Sequence, residues 1–198
     1  MLLPVMEEFY SLQGEGFHTG KPAWFIRIGG CDVGCRWCDV KESWNASQFP
    51  PIPADEVIAR ATECPAGSVV VTGGEPMLYN LDYLCRGLRS HGLSTYLETS
   101  GSQELSGIWD WVCVSPKKDS PPLDGVLIQA NELKVIIHDE TDFSWAEEHA
   151  SKVNPACILF LQPEWSVATR MMPRIVDYIK SHPKWRISLQ SHKYMHIP

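Results

Sequence analysis

Short unbroken apolar runs alternate along the chain with stretches whose apolar residues recur every three or four positions, and turn residues separate the two. The runs predict strands over 23–29 (AWFIRIG), 68–72 (SVVVT), 94–99 (STYLET), 111–115 (WVCVS), 133–137 (LKVII), 157–162 (CILFLQ) and 185–190 (WRISLQ). The periodic stretches predict helices over 53–64, 80–92, 142–152 and 167–181, with Asn80 as an N-cap and Gly92 just past a C-terminus. Apolar strands in alternation with helices make an α/β chain with a parallel sheet covered by helices. Six or seven short units are too few for a closed eightfold barrel. They fit an incomplete, reduced (βα) barrel of about six parallel strands, or an open sheet. Residues 100–109 are too short and polar for a crossover helix, so that unit is reduced. Nothing in the pattern marks a repeat or a linker, which makes residues 1–198 a single domain.

The unusual polar residues fall just after strands: CDVGCRWCDVK, TGGEP, ETSG, SPKK, LQPE and LQSHK. Parallel α/β folds build their sites at the carboxyl ends of strands, so a curved sheet would bring these loops together. Composition narrows the chemistry. Hydrophobic residues make up 44% and charged residues 21%, as in ordinary globular proteins. No apolar run approaches the roughly 20 residues of a membrane helix, and the N-terminus lacks the pattern of a signal peptide, which leads us to expect a cytoplasmic protein. A net charge of −7 argues against general affinity for nucleic acid backbones, yet leaves room for a small anion held by local cations. Eight tryptophans suit core and lid packing. Seven cysteines cannot all pair, and clustered thiols in a reducing compartment point to metal or redox chemistry.

Three of them form Cys31-x3-Cys35-x2-Cys38, in a loop loosened by Gly29, Gly30 and Gly34. Two readings are open. Three thiolates can hold a 4Fe–4S cluster and leave one iron free, or they can share a zinc ion with a remote fourth ligand from Cys64, Cys85, Cys113 or Cys157. The positions of Cys85, Cys113 and Cys157 inside apolar elements favour plain packing. VTGGEP is either a tight strand-to-helix turn or a backbone cradle in which Glu75 meets a cationic amine. Arg27, mid-strand in WFIRIGG, sits on a solvated face or binds an anion in a pocket. In SLQGEG, Gln13 and Glu15 suit the edge of a heterocycle, or the segment is an ordinary turn. The tail carries Gln190, His192 and Lys193 and ends at Pro198, whose carboxylate is a further candidate ligand group.

The three-cysteine spacing, with Trp37 before the last cysteine, resembles the signature of radical S-adenosylmethionine (SAM) enzymes, and GGEP resembles their methionine-amine motif. SLQGEG, IRIGGCDVGCRWCD, VTGGEP, LETSG, SPK, LQP and SLQSHKYMHIP together resemble the 7-carboxy-7-deazaguanine synthase family over nearly the whole chain. The resemblance implies a reduced barrel of the radical SAM type and a homodimer. It implies a lyase that contracts 6-carboxy-5,6,7,8-tetrahydropterin to 7-carboxy-7-deazaguanine with loss of ammonia, in queuosine and 7-deazapurine biosynthesis. The cofactors implied are a 4Fe–4S cluster on Cys31, Cys35 and Cys38, SAM and Mg2+, with reduced flavodoxin or ferredoxin as electron source. It implies SAM contacts at Trp37, Asp39, Gly74, Glu75, Ser115, Pro116, Lys117, Gln162, Pro163 and Glu164. Substrate contacts fall on Leu12, Gln13, Gly14, Glu15, Arg27, Thr72, His192 and Pro198, with Arg27 facing the substrate carboxylate. One position departs from the family. Where a threonine oxygen often meets Mg2+, this chain has Val40, so either Mg2+ is held only by substrate, water and other groups or dependence on it is weak, the outcome we expect, with Lys41 as a substitute charge near the substrate carboxylate. Two other classes compete: a radical SAM activase acting on a partner protein, and a zinc or electron-transfer module without enzyme activity.

Overall fold

The computed structural model describes residues 1–198. Its strands are β1 (Leu2–Leu3), β2 (Val5–Leu12), β3 (Pro22–Ile28), β4 (Ile52–Pro53), β5 (Ser68–Gly73), β6 (Ser94–Thr99), β7 (Trp111–Val114), β8 (Glu132–Ile137), β9 (Ile158–Pro163) and β10 (Trp185–Ile187). The helices are α1 (Ala54–Glu63), α2 (Asp82–Ser90), α3 (Asp124–Leu127), α4 (Thr141–Ala150), α5 (Ala168–Ser181) and α6 (Ser191–Met195).

All seven strands expected from the apolar runs form, in the sheet order β10-β9-β8-β7-β6-β5-β3-β2. They are mutually parallel, one more than the six expected. The eighth strand, β2, is antiparallel to β3. The order runs in one direction, so each crossover steps to the next neighbour. Crossovers of one hand then place every covering helix on the same face. β2 and β10 do not pair with each other, which leaves the barrel open.

Alternation along each strand divides the two faces. Ile26, Val71, Leu97, Val114, Leu133, Val135 and Leu161 point outward and are buried against Val57, Leu84, Leu88 and Ile175 of the helices. The concave face instead carries Arg27, Thr72, Glu98, Cys113, Lys134 and Gln162. Where the reduced unit lacks a helix, Leu105 and Trp109 pack on the same core.

The ends of α2 match the sequence pattern at one terminus and differ at the other. Gly92 takes the left-handed φ of +77° expected of it, just past His91. Asn80 accepts a hydrogen bond from the Asp82 amide (3.0 Å), yet Leu81 holds the capping position. The last strand stops at Ile187 rather than 190, because Ser188 turns inward and its hydroxyl bonds Gln162 (2.6 Å).

The turn between β2 and β3 closes the amino-terminal end of the barrel. Phe17 stacks on Trp111 (4.7 Å between centroids) and His18 on Tyr96 (4.4 Å). The His18 Nε2 atom is buried without a partner. Burial, and then the charge of Lys21, hold this imidazole down to about 4. Its folded pKa lies below the ordinary 6.5, so its contribution to stability is complete above 6.5 and is lost as pH falls toward 4. Thermal melts from pH 7 to pH 4 are expected to show a falling Tm across that window. His18→Phe, which keeps the stacking, should flatten the fall.

Candidate active site

The carboxyl ends of the strands open into a cavity of about 430 Å³. It is lined by every cluster, SAM and substrate residue that the resemblance implies except Glu75 and Pro116. The six loops therefore do converge, as a curved sheet requires.

The cysteine loop forms one wall. Its backbone is tied to the turn after β5: the Gly74 amide donates to the Ile28 carbonyl (2.9 Å) and the Glu75 amide to the Gly30 carbonyl (2.8 Å). On the other side, Gly30 donates to the Ser43 carbonyl (2.6 Å) and Cys31 to that of Trp44 (3.2 Å). Glycine is required at position 74, since a Cβ there would lie 2.1 Å from the Gly30 carbonyl oxygen and 2.8 Å from the Cys31 Cβ.

Glu75 does not line the cavity. It is 1% exposed, and four donors fill its carboxylate: Met77 N (3.1 Å), Thr99 Oγ1 (2.6 Å), Ser100 N (2.8 Å) and Ser100 Oγ (2.5 Å). Within the protein these bonds give Glu75 a bracing role. A buried carboxylate needs such donors, and through them it fixes the ETSG turn against GGEP.

Burial pushes up the Cys31 and Cys35 thiols; Glu75 and Cys38 add to this at Cys31, and Cys31 and Cys38 at Cys35, while Lys117 pulls Cys35 the other way. The three share one wall, but no three ligand-type side chains close around a single ion. Zinc would need four donors about 2.0–2.3 Å from one centre. Cys64, Cys85 and Cys157 lie away from the cavity. Cys113 reaches it, but from the barrel interior. Its thiol, pushed well up by burial and by Glu132, lies among Glu98, Glu132 and Lys134. The expectation that Cys113 packs among apolar side chains is corrected: its wall is polar. Three thiols without a fourth fit a cluster with one iron unligated by protein. Trp37, stacked on His138 (5.8 Å), adds a buried indole N–H with no protein partner at the same wall.

The residues do not fit a divalent metal equally well. Val40 brings no oxygen to the cavity, and the Asp39 carboxylate accepts from the Lys193 ammonium (3.2 Å). Lys193 also donates to Gln190 Oε1 (3.1 Å) and lies over the Trp165 ring. Lys41, expected as the substitute charge, instead lies over Trp44 outside the cavity, and the cation beside Asp39 is Lys193.

Opposite the cysteines lies a polar floor. Gln13 Nε2 donates to Glu98 (2.8 Å), whose other oxygen accepts from Thr72 (3.4 Å). Glu15 forms an ion pair with Lys134 and accepts from Gln190 (3.0 Å). The tail completes the floor: Ser191 donates to the Gly14 carbonyl through both its amide (2.9 Å) and its hydroxyl (2.7 Å), and Ser11 reaches the Pro198 carbonyl (3.3 Å). His192 packs against Gly14, and burial lowers its pKa. Arg27 gives its Nε to Glu7 (2.7 Å) and lies over Phe9.

Glu98, Glu132 and Lys134 were missed from the sequence. The signal that marked Arg27, a charge at mid-strand, is also present in STYLET and ELKVII.

A curved, open parallel barrel with three thiols at its carboxyl-terminal mouth defines a radical SAM enzyme, and residues 25–109 match the model of the radical SAM superfamily. The chain is 55% identical to 7-carboxy-7-deazaguanine synthase of Flavobacterium psychrophilum, over all of this chain and 93% of that one. It is 46% identical to the enzyme of that name from Synechocystis, covering 98% and 93%. The crystal structure of QueE from Escherichia coli superposes with a TM-score of 0.86 at 32% identity, covering 96% of this chain and 95% of that one. The chain belongs to the 7-carboxy-7-deazaguanine synthase family of radical SAM enzymes.

Proposed function

We propose that this single radical SAM domain converts 6-carboxy-5,6,7,8-tetrahydropterin to 7-carboxy-7-deazaguanine with release of ammonia, in queuosine and 7-deazapurine biosynthesis. The observation that carries the reading is one cavity with the three-cysteine loop on one side and a hydrogen-bonding floor for a flat heterocycle on the other. Cys31, Cys35 and Cys38 would hold a 4Fe–4S cluster, which with bound SAM supplies a carbon-centred adenosyl radical. The chain's own residues bind, orient and exclude water.

Trp37, Ser115, Lys117, Gln162, Pro163 and Glu164 line the SAM side, with Gly74 as the backbone approach. Lys117 is held by the Ser115 carbonyl (2.5 Å) and hydroxyl (2.7 Å), which fixes its ammonium beside Cys35. On the substrate side Arg27 has only its Nε engaged. Its two terminal nitrogens are left for the substrate carboxylate, as a fork. Gln13, Glu15 and His192 face the ring edge, with Leu12, Gly14, Thr72 and Pro198 around it. The floor is built from the chain's own turn and tail, which suits a small molecule better than the docked loop of a partner protein. That favours the synthase over the activase.

The reading includes a homodimer, reduced flavodoxin or ferredoxin as electron source, and a cytoplasmic location. No helix is long and apolar enough to cross a membrane. The test is anaerobic turnover of the cluster-loaded protein with 6-carboxytetrahydropterin, followed by chromatography. 7-Carboxy-7-deazaguanine is expected. Formation of 5′-deoxyadenosine without that product would refute the substrate assignment and leave radical SAM chemistry standing. Because Val40 offers no oxygen, chelation of Mg2+ is expected to change kcat/KM less than about threefold, under 1 kcal/mol. A collapse of activity on chelation would refute weak dependence.

A further inference from the structure

We propose that Lys134 is a positioning residue. From the middle of β8 it holds Glu15 by an ion pair inside the barrel, so that this carboxylate faces the cavity as an acceptor for two N–H groups of the substrate's aminopyrimidinone edge. The inference rests on the pterin reading above and extends it to a residue outside the sequence motifs.

A lysine on the concave face of a strand is costly. Lys134 is only 4% exposed, in a strand whose neighbours Leu133 and Val135 are fully buried. Ion pairs of this kind give no more stability than an apolar pair of the same volume. Its value lies in what it holds. The Lys134 ammonium is in contact with Glu15 Oε2, and Gln190 Nε2 lies 3.0 Å from Oε1. An ionised carboxylate accepts at about four positions, two on each oxygen. Lys134 takes a position on Oε2 and Gln190 one on Oε1, and the Gln162 amide also bonds this carboxylate. Once the Gln162 amide gives way to substrate, one acceptor on each oxygen matches adjacent ring N–H and amino donors, in the geometry of a bidentate pair. A protonated carboxyl would turn one of those acceptors into a donor and lose the match.

The surroundings show why Glu15 needs this partner. Glu132 from the same strand as Lys134, Glu98 from β6 and Cys113 from β7 add negative or ionisable groups within reach of the pair. His192 of the tail faces Glu15, and His18 lines the small space beneath it, but burial disfavours a charge on either ring. Lys117, beyond β7, also feels Lys134, but Ser115 holds its ammonium, so Lys134 is the cation in contact with Glu15. Burial alone would raise Glu15. The charge and hydrogen bond of Lys134, with the bonds from Gln190 and Gln162, bring it down to about 2.

The test uses cluster-loaded protein with SAM under anaerobic conditions, and 6-carboxypterin as a fluorescent probe with the same ring edge. Wild type should bind it equally from pH 5 to pH 7, a range in which the probe keeps its ring N–H. Lys134→Met should bind roughly 10–100-fold more weakly at pH 5, the worth of a charge-assisted hydrogen bond, and recover with rising pH as Glu15 ionises. Lys134→Arg should keep the flat profile. A pH-independent loss in Lys134→Met, or no loss, overturns the proposal. Failure of wild type to bind the probe overturns the pterin reading and this inference with it. If Lys134→Met does not fold, carbon-13 spectra of labelled glutamate in wild type, assigned by Glu15→Gln, decide. Glu15 must remain ionised at pH 5, and a protonated carboxyl there overturns the role.

Discussion

Replacing Cys35 with alanine is expected to leave a folded protein with background iron, no brown absorbance near 400 nm and no 5′-deoxyadenosine formation. The loss should exceed the roughly 10–100-fold that removal of a residue supporting a metal ligand costs, because a ligand itself is gone. Two thiolates remain on the wall, and no other cysteine is placed to replace the third: Cys64 ends α1 away from the cavity, Cys85 is buried at α2, Cys157 faces Ile158, and Cys113 points into the barrel. The fold should be spared. Cys35 is only partly buried, and its loop is anchored by backbone bonds of Gly30 and Cys31, so the apoprotein should melt within about 0.5 kcal/mol of wild type. Cys157→Ala serves as the contrast, with iron and cleavage unchanged. Full iron loading of Cys35→Ala would refute the three-ligand assignment.

Gly73→Ala is expected to be the most damaging conservative change in the chain. Gly73 has φ +136°, where side chains rarely go, and an added Cβ would lie 2.1 Å from the Ile28 carbonyl oxygen and 2.4 Å from its nitrogen. Both neighbours are backbone, in the register pair that joins β3 to β5. No side chain can swing aside. We expect a cost of about 3–5 kcal/mol, from strain plus the broken pairing, against a total stability of about 5–15 kcal/mol. For a chain of this size that lowers Tm by about 6–20 °C. Molecules that still fold should cleave SAM poorly, because the adjoining Gly74 and Glu75 amides carry the cysteine loop. Calorimetry together with a 5′-deoxyadenosine assay checks both halves. A wild-type melting curve would show that the turn is looser than its geometry.

The parallel strands were legible because both of their faces are constrained: the outer positions of VVV, LKVII and CILFLQ must be apolar to pack on helices. β2 was not legible. VMEEFYSL is an edge strand, half-exposed along most of its length, so its sequence carries neither an apolar run nor a clean alternation. The same physics divided the candidate site. Loop residues at strand ends stood out against apolar runs, and Arg27 stood out within one. Glu98 and Lys134 carry the same signal, but their partners, Gln13 and Glu15, lie 85 and 119 residues away, a pairing that only the fold can show. Glu75 was recognised as a motif residue, yet its burial depends on Thr99 and Ser100 closing over it, which no local pattern reveals.

The floor of the cavity also sets an order of events in synthesis. The turn after β2 emerges early, but Gly14 waits for Ser191, 177 residues later, to clasp it. At roughly 5–20 residues per second, that is about 10–35 seconds of translation. During that interval the cysteine loop and the turn after β5 can already be brought together, since Gly30 and Glu75 lie close in the chain. The three-cysteine side of the cavity can therefore form well before its floor exists. A nascent chain in this state has the cysteine mouth and no floor.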